Sequence, residues 1–273
     1  MNPVLKTISG HSVKPLGLAA YEMQSEGIVE AAVTNGINFF FFYSLSFDGF
    51  VDELSTVLPE HRNNLVIAAG SEERTEDEMT STLNAVLDHL HVDTLDVFFT
   101  EYVAPADDRT EIFGDHGSIA LMKAWQQQGR IRYAGATCHS RELGAELIAD
   151  GRIDILMHRY NMAHRKAEQF VLPQAERAGV PVVAFTATRW GSLLSGHPQW
   201  HDRKPTASDC YRFCLAQPAI QLALTAPTTH KHFHENLTVL DRREMSQAEI
   251  EHWRQYGDLV YGDGKDAYET QWL

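Results

Sequence analysis

The sequence predicts a closed barrel of eight parallel strands, a (β/α)8 TIM barrel, on two observations. Short apolar runs alternate with amphipathic segments along the whole chain. Strands that are apolar throughout and are separated by helices indicate a parallel sheet covered by those helices. The length of 273 residues agrees with the roughly 250 residues that such barrels commonly take. We therefore expect residues 1–273 to form a single barrel domain.

The predicted strands are short apolar runs bounded by turn-forming residues. Ahead of the first of them, Leu5–Val13 has the pattern of a β-hairpin that turns at Ser9-Gly10. The eight strands are expected at Leu16–Ala20, Asn38–Tyr43, Leu65–Ala69, Thr94–Thr100, Ile131–Thr137, Ile153–Arg159, Val180–Thr186 and Ile220–Thr225.

Amphipathic segments separate these runs and predict the helices. Thr75 and Glu78 have the spacing of a capping box, and Gly151 and Gly179 follow helical segments as stop signals. A further helix, from Gln247 to about Tyr261, is expected to pack outside the barrel. The barrel helices are expected near residues 24–35, 48–59, 75–91, 117–128, 141–150, 166–178, 206–216 and 231–241.

Composition limits the partners that the chain can have. A formal net charge of −14 disfavours nucleic acid or an anionic membrane as a main partner, which leaves small molecules. No run approaches the roughly 18 apolar residues of a membrane span. The three cysteines, Cys138, Cys210 and Cys214, are odd in number, and reduced thiols in the cytoplasm are the expectation. The oligomeric state stays open.

Six short segments, taken in their order and spacing, are similar to one known family. They are Gly17-Leu18, Gly36–Tyr43, Gln128–Gly135, Arg159–Asn161, Gly191–Gly196 and Glu235–Leu237. Together they resemble the aldo-keto reductase family over most of the chain, from about Leu16 to about Leu240. The resemblance implies a barrel that binds NADP(H) across the carboxyl ends of its strands and reduces carbonyls by hydride transfer.

The same resemblance implies that the family's catalytic tetrad is replaced. The aspartate position falls on Phe41, the tyrosine position on Ser46, the lysine position on Gly70 and the histidine position on Glu101. Ordinary carbonyl reduction, which needs a proton donor beside the developing alkoxide, is therefore not expected. Because the lysine and aspartate would be lost together, we expect the Phe41 ring to fill the space beside Gly70.

The resemblance also implies where a dinucleotide would lie. The positions that hold the nicotinamide fall on Thr137, Cys138 and Met157, whereas Glu235 and Asn236 keep the family's adenine-side residues. NADP is a candidate cofactor, and backbone N–H groups at a helix start, with Lys231, could hold a phosphate. The candidate contacts are Phe185, Thr186, Gly191, Leu193, Lys231 and Asn236.

A metal is not expected, although the sequence offers a candidate. His230 and His234 share a helix face, but no nearby carboxylate or cysteine completes a ligand set.

Four residues are candidates for catalysis, and each has a structural alternative. Glu101 could be an acid or base with a raised pKa, or a strand-end carboxylate that is solvated or paired with Arg159. Tyr43 could direct its hydroxyl into the site, or be a rim aromatic. His158 and Arg159 should face opposite sides of their strand and could form a proton-moving cluster with Glu101, or a structural network.

Three functions remain open at this point. The barrel could perform unusual, non-redox chemistry on a small molecule at its carboxyl-end mouth. It could be a nicotinamide-dependent oxidoreductase with a relocated acid. It could also be a catalytically silent barrel that binds a ligand or partner, in which case Phe41, Phe42 and Trp190 would plug the mouth.

Overall fold

The computed structural model describes residues 5–21 and 25–264, and within them eight parallel strands close into a barrel in chain order. Each strand pairs with its two sequence neighbours, and β8 closes the barrel on β1 through Leu16 and Ala223. The predicted fold class is thereby confirmed. The strands are β1 Leu16–Ala19, β2 Phe39–Phe41, β3 Val66–Ser71, β4 Leu95–Val103, β5 Ile131–Cys138, β6 Ile155–Arg159, β7 Val182–Phe185 and β8 Ile220–Thr225.

Helices surround the barrel on the outside. Each strand from β1 to β8 is followed by at least one helix or helical turn, as the alternating pattern predicts. The α-helices are α1 Ile28–Thr34, α2 Asp48–His61, α3 Glu76–Leu90, α4 Arg109–Phe113, α5 Ser118–Gln127, α6 Arg141–Asp150, α7 Val171–Ala178, α8 Ala207–Leu215, α9 His230–Asp241 and α10 Gln247–Tyr261.

Three local differences from the predicted elements are informative. The predicted helix at 166–178 is divided, because Phe170, at φ −153° and ψ −35°, separates a 3-10 turn at Lys166–Gln169 from α7. The predicted hairpin is reduced to one antiparallel bridge between Lys6 and Ser12. Strand β4 runs three residues past the predicted end at Thr100, to Val103, so Glu101 lies inside a strand. The start of the predicted first helix, at residue 24, lies outside the described residues.

Side chains alternate along each strand between the barrel interior and the helices. The interior is a separate apolar cluster that includes Phe41, Val97, Phe99 and Met157. Gly135 lies opposite the Phe99 ring, where an added Cβ would approach Phe99 Cδ1 to 2.4 Å. Large and small residues therefore interdigitate to fill the barrel.

A buried carboxylate holds the amino-end floor of the barrel together. Asp96 is fully buried and accepts hydrogen bonds from Arg62 Nη1 at 2.7 Å and Arg132 Nη1 at 2.5 Å. It also accepts the backbone N–H of Ile67 at 2.9 Å. Arg132 donates further to the carbonyl of Lys6, so the opening segment is attached to the same charge network.

The C-terminal helix α10 packs outside the barrel, as predicted, and braces the loop after β7. It begins with a reciprocal capping box between Ser246 and Glu249. Tyr256 donates its hydroxyl to the carbonyl of Leu193 at 2.6 Å, and Arg189 donates to the carbonyl of Val260 at 2.6 Å. In the described parts of the chain, no helix combines the length and hydrophobicity that crossing a bilayer requires.

Candidate functional site

A cavity of about 900 Å³ opens at the carboxyl ends of the strands. Its wall has two parts with different chemistry. We call the first the strand-end half; it is formed by strand ends and rim residues that include Phe41, Glu101, Thr137, Met157 and Phe185. We call the second the helix half; it is formed at the starts of α8 and α9 by residues that include Lys204, Thr206, His232, Glu235 and Asn236.

Glu101 is the buried ionisable group of the strand-end half. Only 3% of its surface is exposed, and β4 directs it inward with Val97 and Phe99. Its Oε2 accepts a hydrogen bond from Thr137 Oγ1 at 2.8 Å, and Thr137 in turn accepts the backbone N–H of Tyr102 at 2.7 Å. Its Oε1 has no hydrogen-bond partner among the described residues.

The surroundings of Glu101 favour its protonated form. Burial raises the pKa of Glu101 to about 8, the Thr137 hydrogen bond opposes that rise, and the charges of Glu72 and Arg74 act in opposite directions. Arg74 contacts the Glu101 backbone carbonyl at 2.7 Å and pairs with Asp107 at 3.0 Å. A carboxyl group with this pKa changes its protonation state close to neutral pH and can donate or accept a proton there.

The side chain that occupies the space beside Gly70 is that of Glu101, and not that of Phe41. A Cβ added at Gly70 would lie 2.4 Å from Glu101 Oε1 and 2.7 Å from the carbonyl oxygen of Phe99. The Phe41 ring packs edge-on against Phe99, with centroids 5.8 Å apart. The expectation that Phe41 fills this space is therefore corrected: β3 and β4 are neighbours, and a glycine on β3 leaves room for the carboxyl group of β4.

Replacing Gly70 with alanine should destabilise the chain and displace Glu101. The Glu101 carboxyl can rotate away from the new methyl group, but the Phe99 carbonyl belongs to the barrel backbone and cannot. Overpacking of this kind costs about 1–3 kcal/mol or more. Gly49, where an added Cβ would meet nothing within 4 Å, is the matched control. Urea unfolding should show a lower free energy for Gly70→Ala and an equal or slightly higher one for Gly49→Ala, because Gly49 lies in α2 and helices favour alanine over glycine. Equal stabilities of the two variants would contradict the close contact.

Tyr43 lies at the rim of the cavity. It is 47% exposed, and its ring packs edge-on against Phe47 with centroids 4.9 Å apart. Burial raises its pKa, and the charges of Glu72, Tyr21 and Glu101 raise it further. Tyr43 therefore contributes an aromatic face and a neutral hydroxyl to the mouth, which corresponds to the rim alternative.

His158 and Arg159 do not form the expected cluster with Glu101. Strand alternation turns His158 outward, where its Nδ1 lies 3.5 Å from Cys138 Sγ, and burial lowers its pKa to about 4. Arg159 has the inward parity of Met157, but it is not part of the cavity wall. Burial lowers the pKa values of His139 and His164 to about 3, and the positive charge of Arg159 is the second largest cause of both shifts. The pair is divided because successive residues of a strand face opposite sides.

The structure places four of the six candidate cofactor contacts in the cavity wall, namely Phe185, Thr186, Gly191 and Asn236. Leu193 is fully buried and is not part of the wall. The Lys231 side chain also lies outside the wall. It is 83% exposed, and its Nζ is 3.9 Å from Glu235 Oε1. Since α9 projects Lys231 toward solvent, the candidate phosphate contact from this side chain stays a prediction that the cavity wall does not include.

Several residues of the cavity wall belong to no sequence motif by which they could have been identified. Lys204 comes from the loop before α8, and Thr206 and Ser208 come from the start of that helix. Tyr211 donates its hydroxyl to Thr225 Oγ1 at 2.9 Å, and Asn236 Nδ2 donates to the same oxygen at 2.8 Å. These residues meet only because α8 and α9 begin at the same rim.

Residues with left-handed backbone conformations cluster at this mouth. Tyr102, Thr186 and Trp190 have φ values of 49°, 53° and 49°, and all three line the cavity. Such conformations in residues other than glycine are uncommon and concentrate at functional sites.

The histidine-rich start of α9 does not assemble a metal site. His230 Nε2 lies 2.7 Å from the carbonyl oxygen of Glu26, and His232 Nδ1 lies 3.1 Å from Thr228 Oγ1. Across residues 5–21 and 25–264, no group of three or more His, Cys, Asp or Glu side chains could hold a metal ion. Cys138 is fully buried, and burial raises its pKa to about 12, which is typical of an unreactive thiol.

Solved structures show the same fold at low sequence identity. An aldo-keto reductase of Bacillus halodurans in its holo form is 17% identical, with a TM-score of 0.77 over 92% of this chain and 95% of that one. An aldo/keto reductase of Klebsiella pneumoniae, in complex with NADP and acetate, is 15% identical, with a TM-score of 0.74 over 94% and 96%. A comparison with curated proteins found no match.

A sequence model of the Aldo/keto reductase family matches residues 19–208. This range runs from the end of β1 to the start of α8, and so includes most of the strands whose ends form the cavity. The match covers well over half of the chain and agrees with the resemblance of the short segments and with the shared barrel. The chain therefore belongs to the aldo/keto reductase family.

Proposed function

We propose that this protein is an enzyme that acts on a small molecule in the cavity, with Glu101 as the group that donates or accepts the proton. Phe41, Ser46, Gly70 and Glu101 then stand in the places of the family's Asp, Tyr, Lys and His. Ordinary carbonyl reduction is not the expected reaction, because Gly70 offers no cation to assist a tyrosine acid and Ser46 is exposed on the rim loop, hydrogen-bonded to Ser44 at 2.8 Å.

The observation that carries this proposal is the state of Glu101. Its carboxyl group is 3% exposed, has one oxygen without a partner in the described chain and has a pKa of about 8. A structural carboxylate at a strand end would instead be solvated or paired with a cation. Perturbed carboxyl groups of this kind concentrate in active sites, because a proton-transfer group works best with a pKa near the working pH.

The open cavity favours an enzyme over a silent barrel. Phe42 points outward, where it packs against Phe50 with centroids 6.4 Å apart. Trp190 is 54% exposed at the rim, and Phe41 forms part of the floor. None of these three rings fills the space, so a cavity of about 900 Å³ stays available, a size that accepts a small-molecule ligand.

Loss of turnover in a Glu101→Gln variant tests the proposal. A mixture of metabolites should be incubated with the wild type and the variant, with and without NADPH, and followed by mass spectrometry. Conversions catalysed by the wild type should disappear in Glu101→Gln, which keeps the shape of the side chain but cannot exchange the proton. Glu72→Gln is the control and should keep them, because Glu72 is an exposed carboxylate outside the cavity wall whose charge acts on Glu101. Conversions that survive in Glu101→Gln would exclude the proposed role.

A second candidate, a nicotinamide-dependent oxidoreductase, is favoured by the helix half of the cavity. Lys204, Thr206, His232 and Asn236 offer a cation and hydrogen-bonding groups there, and these residues would hold the phosphates and adenine of a dinucleotide. Such a cofactor supplies a hydride when bound. The strand-end half fits its carboxamide less well, because Met157 is apolar and Thr137 is already bonded to Glu101.

NADPH titration separates the two candidates. Enhanced cofactor fluorescence and a higher melting temperature, both weakened in Lys204→Gln, would support the oxidoreductase. No change in either measurement, with conversions that do not need NADPH, would support non-redox chemistry. Since binding of a ligand to the folded state stabilises it by mass action, the melting temperature reports affinity without requiring turnover.

A further inference from the structure

Aromatic rings surround the strand-end half of the cavity. Three of the four large hydrophobic side chains with high exposure in the described chain, Tyr21, Tyr43 and Trp190, stand at its rim. Exposed aromatic residues that gather around a concave site mark a binding surface rather than scattered surface residues. The rings that face this half are Tyr21, Phe41, Tyr43, Tyr102, Phe185 and Trp190.

The described wall of the strand-end half carries no Lys or Arg side chain. Among the described residues, Lys204 is the one Lys or Arg in the cavity wall, and it lies in the helix half beside Gly196, 3.9 Å from where a Cβ on that glycine would stand. The charge of Glu72 acts on both Glu101 and Tyr43. An anionic ligand group would therefore find no Lys or Arg side chain in the described wall of this half; Arg74 and Arg159 lie behind it.

Glu101 is the polar group at the base of this aromatic half. Its Oε2 is hydrogen-bonded to Thr137 at 2.8 Å, while its Oε1 has no partner in the described parts of the chain. Burying a carboxyl oxygen without a partner destabilises the protein, and a ligand that supplies the missing partner removes that cost. Aromatic faces attract cations through the quadrupole of the ring, so rings and carboxyl group favour the same kind of ligand.

We propose that the strand-end half of the cavity binds an organic cation, an amine or quaternary ammonium group on an apolar body, with Glu101 as its counter-ion and Tyr43 and Trp190 as ring contacts. This assignment deepens the proposed function and rests on it, since it names the substrate class for the same carboxyl group.

Cation binding must then be coupled to release of a proton. Because the pKa of Glu101 is about 8, the free site is mostly protonated at neutral pH and the ion pair forms only after the proton leaves. The other titratable groups that face Glu101 are Glu72, Arg74, Tyr43 and Tyr102. Burial raises the pKa values of both tyrosines, so neither ionises in the range where Glu101 does.

Calorimetric titration with benzyltrimethylammonium, a cation that cannot lose a proton, tests this coupling. Its affinity for the full-length protein should rise about tenfold between about pH 7 and about pH 9, because the ionised fraction of Glu101 rises by that factor. Titrations in buffers of different ionisation enthalpy should show nearly one proton released at neutral pH. Benzyl alcohol, which carries the same ring without the charge, should bind more weakly at about pH 9 and should not gain affinity with pH.

Two variants separate the counter-ion from the rings. Glu101→Gln should abolish the pH dependence and the preference for the cation, while benzyl alcohol still binds. Tyr43→Leu should weaken the cation about threefold, within the range for an exposed cation–π contact, and should leave benzyl alcohol unchanged. Melting curves of both variants show whether they are folded.

Tighter binding of benzyl alcohol than of benzyltrimethylammonium, or a cation affinity that does not change with pH, would overturn the assignment. A cation affinity that is unchanged in Glu101→Gln would overturn it as well. These outcomes concern ligand charge alone, and the loss of turnover in Glu101→Gln would still support the proposed function. Conversely, cation binding together with conversions that survive in Glu101→Gln would reject the proton-transfer role and keep the counter-ion.

Discussion

The free energy of unfolding of the wild-type chain should fall as pH rises from mildly acidic to mildly alkaline. Replacing Glu101 with glutamine should abolish this fall. Burial raises the pKa of Glu101 from 4.5 to about 8, and the Thr137 hydrogen bond offsets only part of that rise. Between these values the folded chain keeps a proton that the unfolded chain has already released. The free energy of unfolding therefore falls as pH rises through this window.

The sign and size of this effect follow from linkage. The contribution of Glu101 is complete below its unfolded pKa of 4.5, is lost progressively up to about pH 8, and changes no further above it. Since one unit of pKa shift corresponds to about 1.36 kcal/mol, the unfolding free energies of wild type and Glu101→Gln should diverge by on the order of 4–5 kcal/mol across the window. Urea unfolding of both proteins at about pH 5 and about pH 8.5 measures this difference.

A matched variant checks the cause. Thr137→Val keeps the shape of residue 137 but removes the hydrogen bond that lowers the pKa of Glu101. The carbonyl stretching band of the protonated carboxyl group, read by difference infrared spectroscopy against Glu101→Gln, should persist to higher pH in Thr137→Val than in the wild type. Parallel pH profiles of stability for wild type and Glu101→Gln would show that the carboxyl group titrates normally.

Replacing Asp96 with asparagine should cause a large loss of stability near neutral pH. Asp96 is 0% exposed and pairs with Arg62 at 2.7 Å and with Arg132 at 2.5 Å. Removing one partner of a buried ion pair leaves the other charges uncompensated and costs about 3–5 kcal/mol. Because Arg132 also holds the carbonyl oxygens of Lys6 and Thr7, the opening segment should loosen from the barrel floor.

An exposed contact between a carboxylate and an imidazole provides the comparison for Asp96. Asp52, with its side chain 68% exposed, lies 2.9 Å from His89 Nε2 on the outer helices, and exposed pairs contribute about 0–1 kcal/mol. Asp52→Asn should therefore unfold at nearly the wild-type urea concentration, whereas Asp96→Asn should unfold well below it. Hydrogen exchange should localise the loss of protection in Asp96→Asn to the floor. Similar unfolding midpoints for the two variants would contradict the role of Asp96.

Much of the fold could be predicted from the sequence because its signals are local. A run such as Ile220–Thr225 is mostly apolar, and the strand has these bounds in the structure. Helix stops at Gly151 and Gly179 were predicted from the residue type, and both adopt left-handed φ values of 78° and 71°. The break in the helix at Phe170 was not predicted. It depends on the backbone angles of that residue, and an apolar residue that is compatible with a helix gives no sign of them.

Less of the site could be predicted, because its residues come from distant parts of the chain. Glu101 was identified from its place at the end of a strand, but its bond to Thr137 depends on the register between β4 and β5. Lys204 and Tyr211 line the cavity without belonging to any recognisable motif. His158 was a candidate, and strand alternation turned it away from the cavity.

The sequence by itself determined the barrel and the family, since periodicity and short motifs are properties of neighbouring residues. Only the tertiary structure decided that Glu101 takes the space beside Gly70 and is buried there, with one carboxyl oxygen that has no hydrogen-bond partner among the described residues. The physical reason is that burial and pKa depend on which strands pack side by side, and adjacent strands of a (β/α)8 barrel are separated along the chain by a helix.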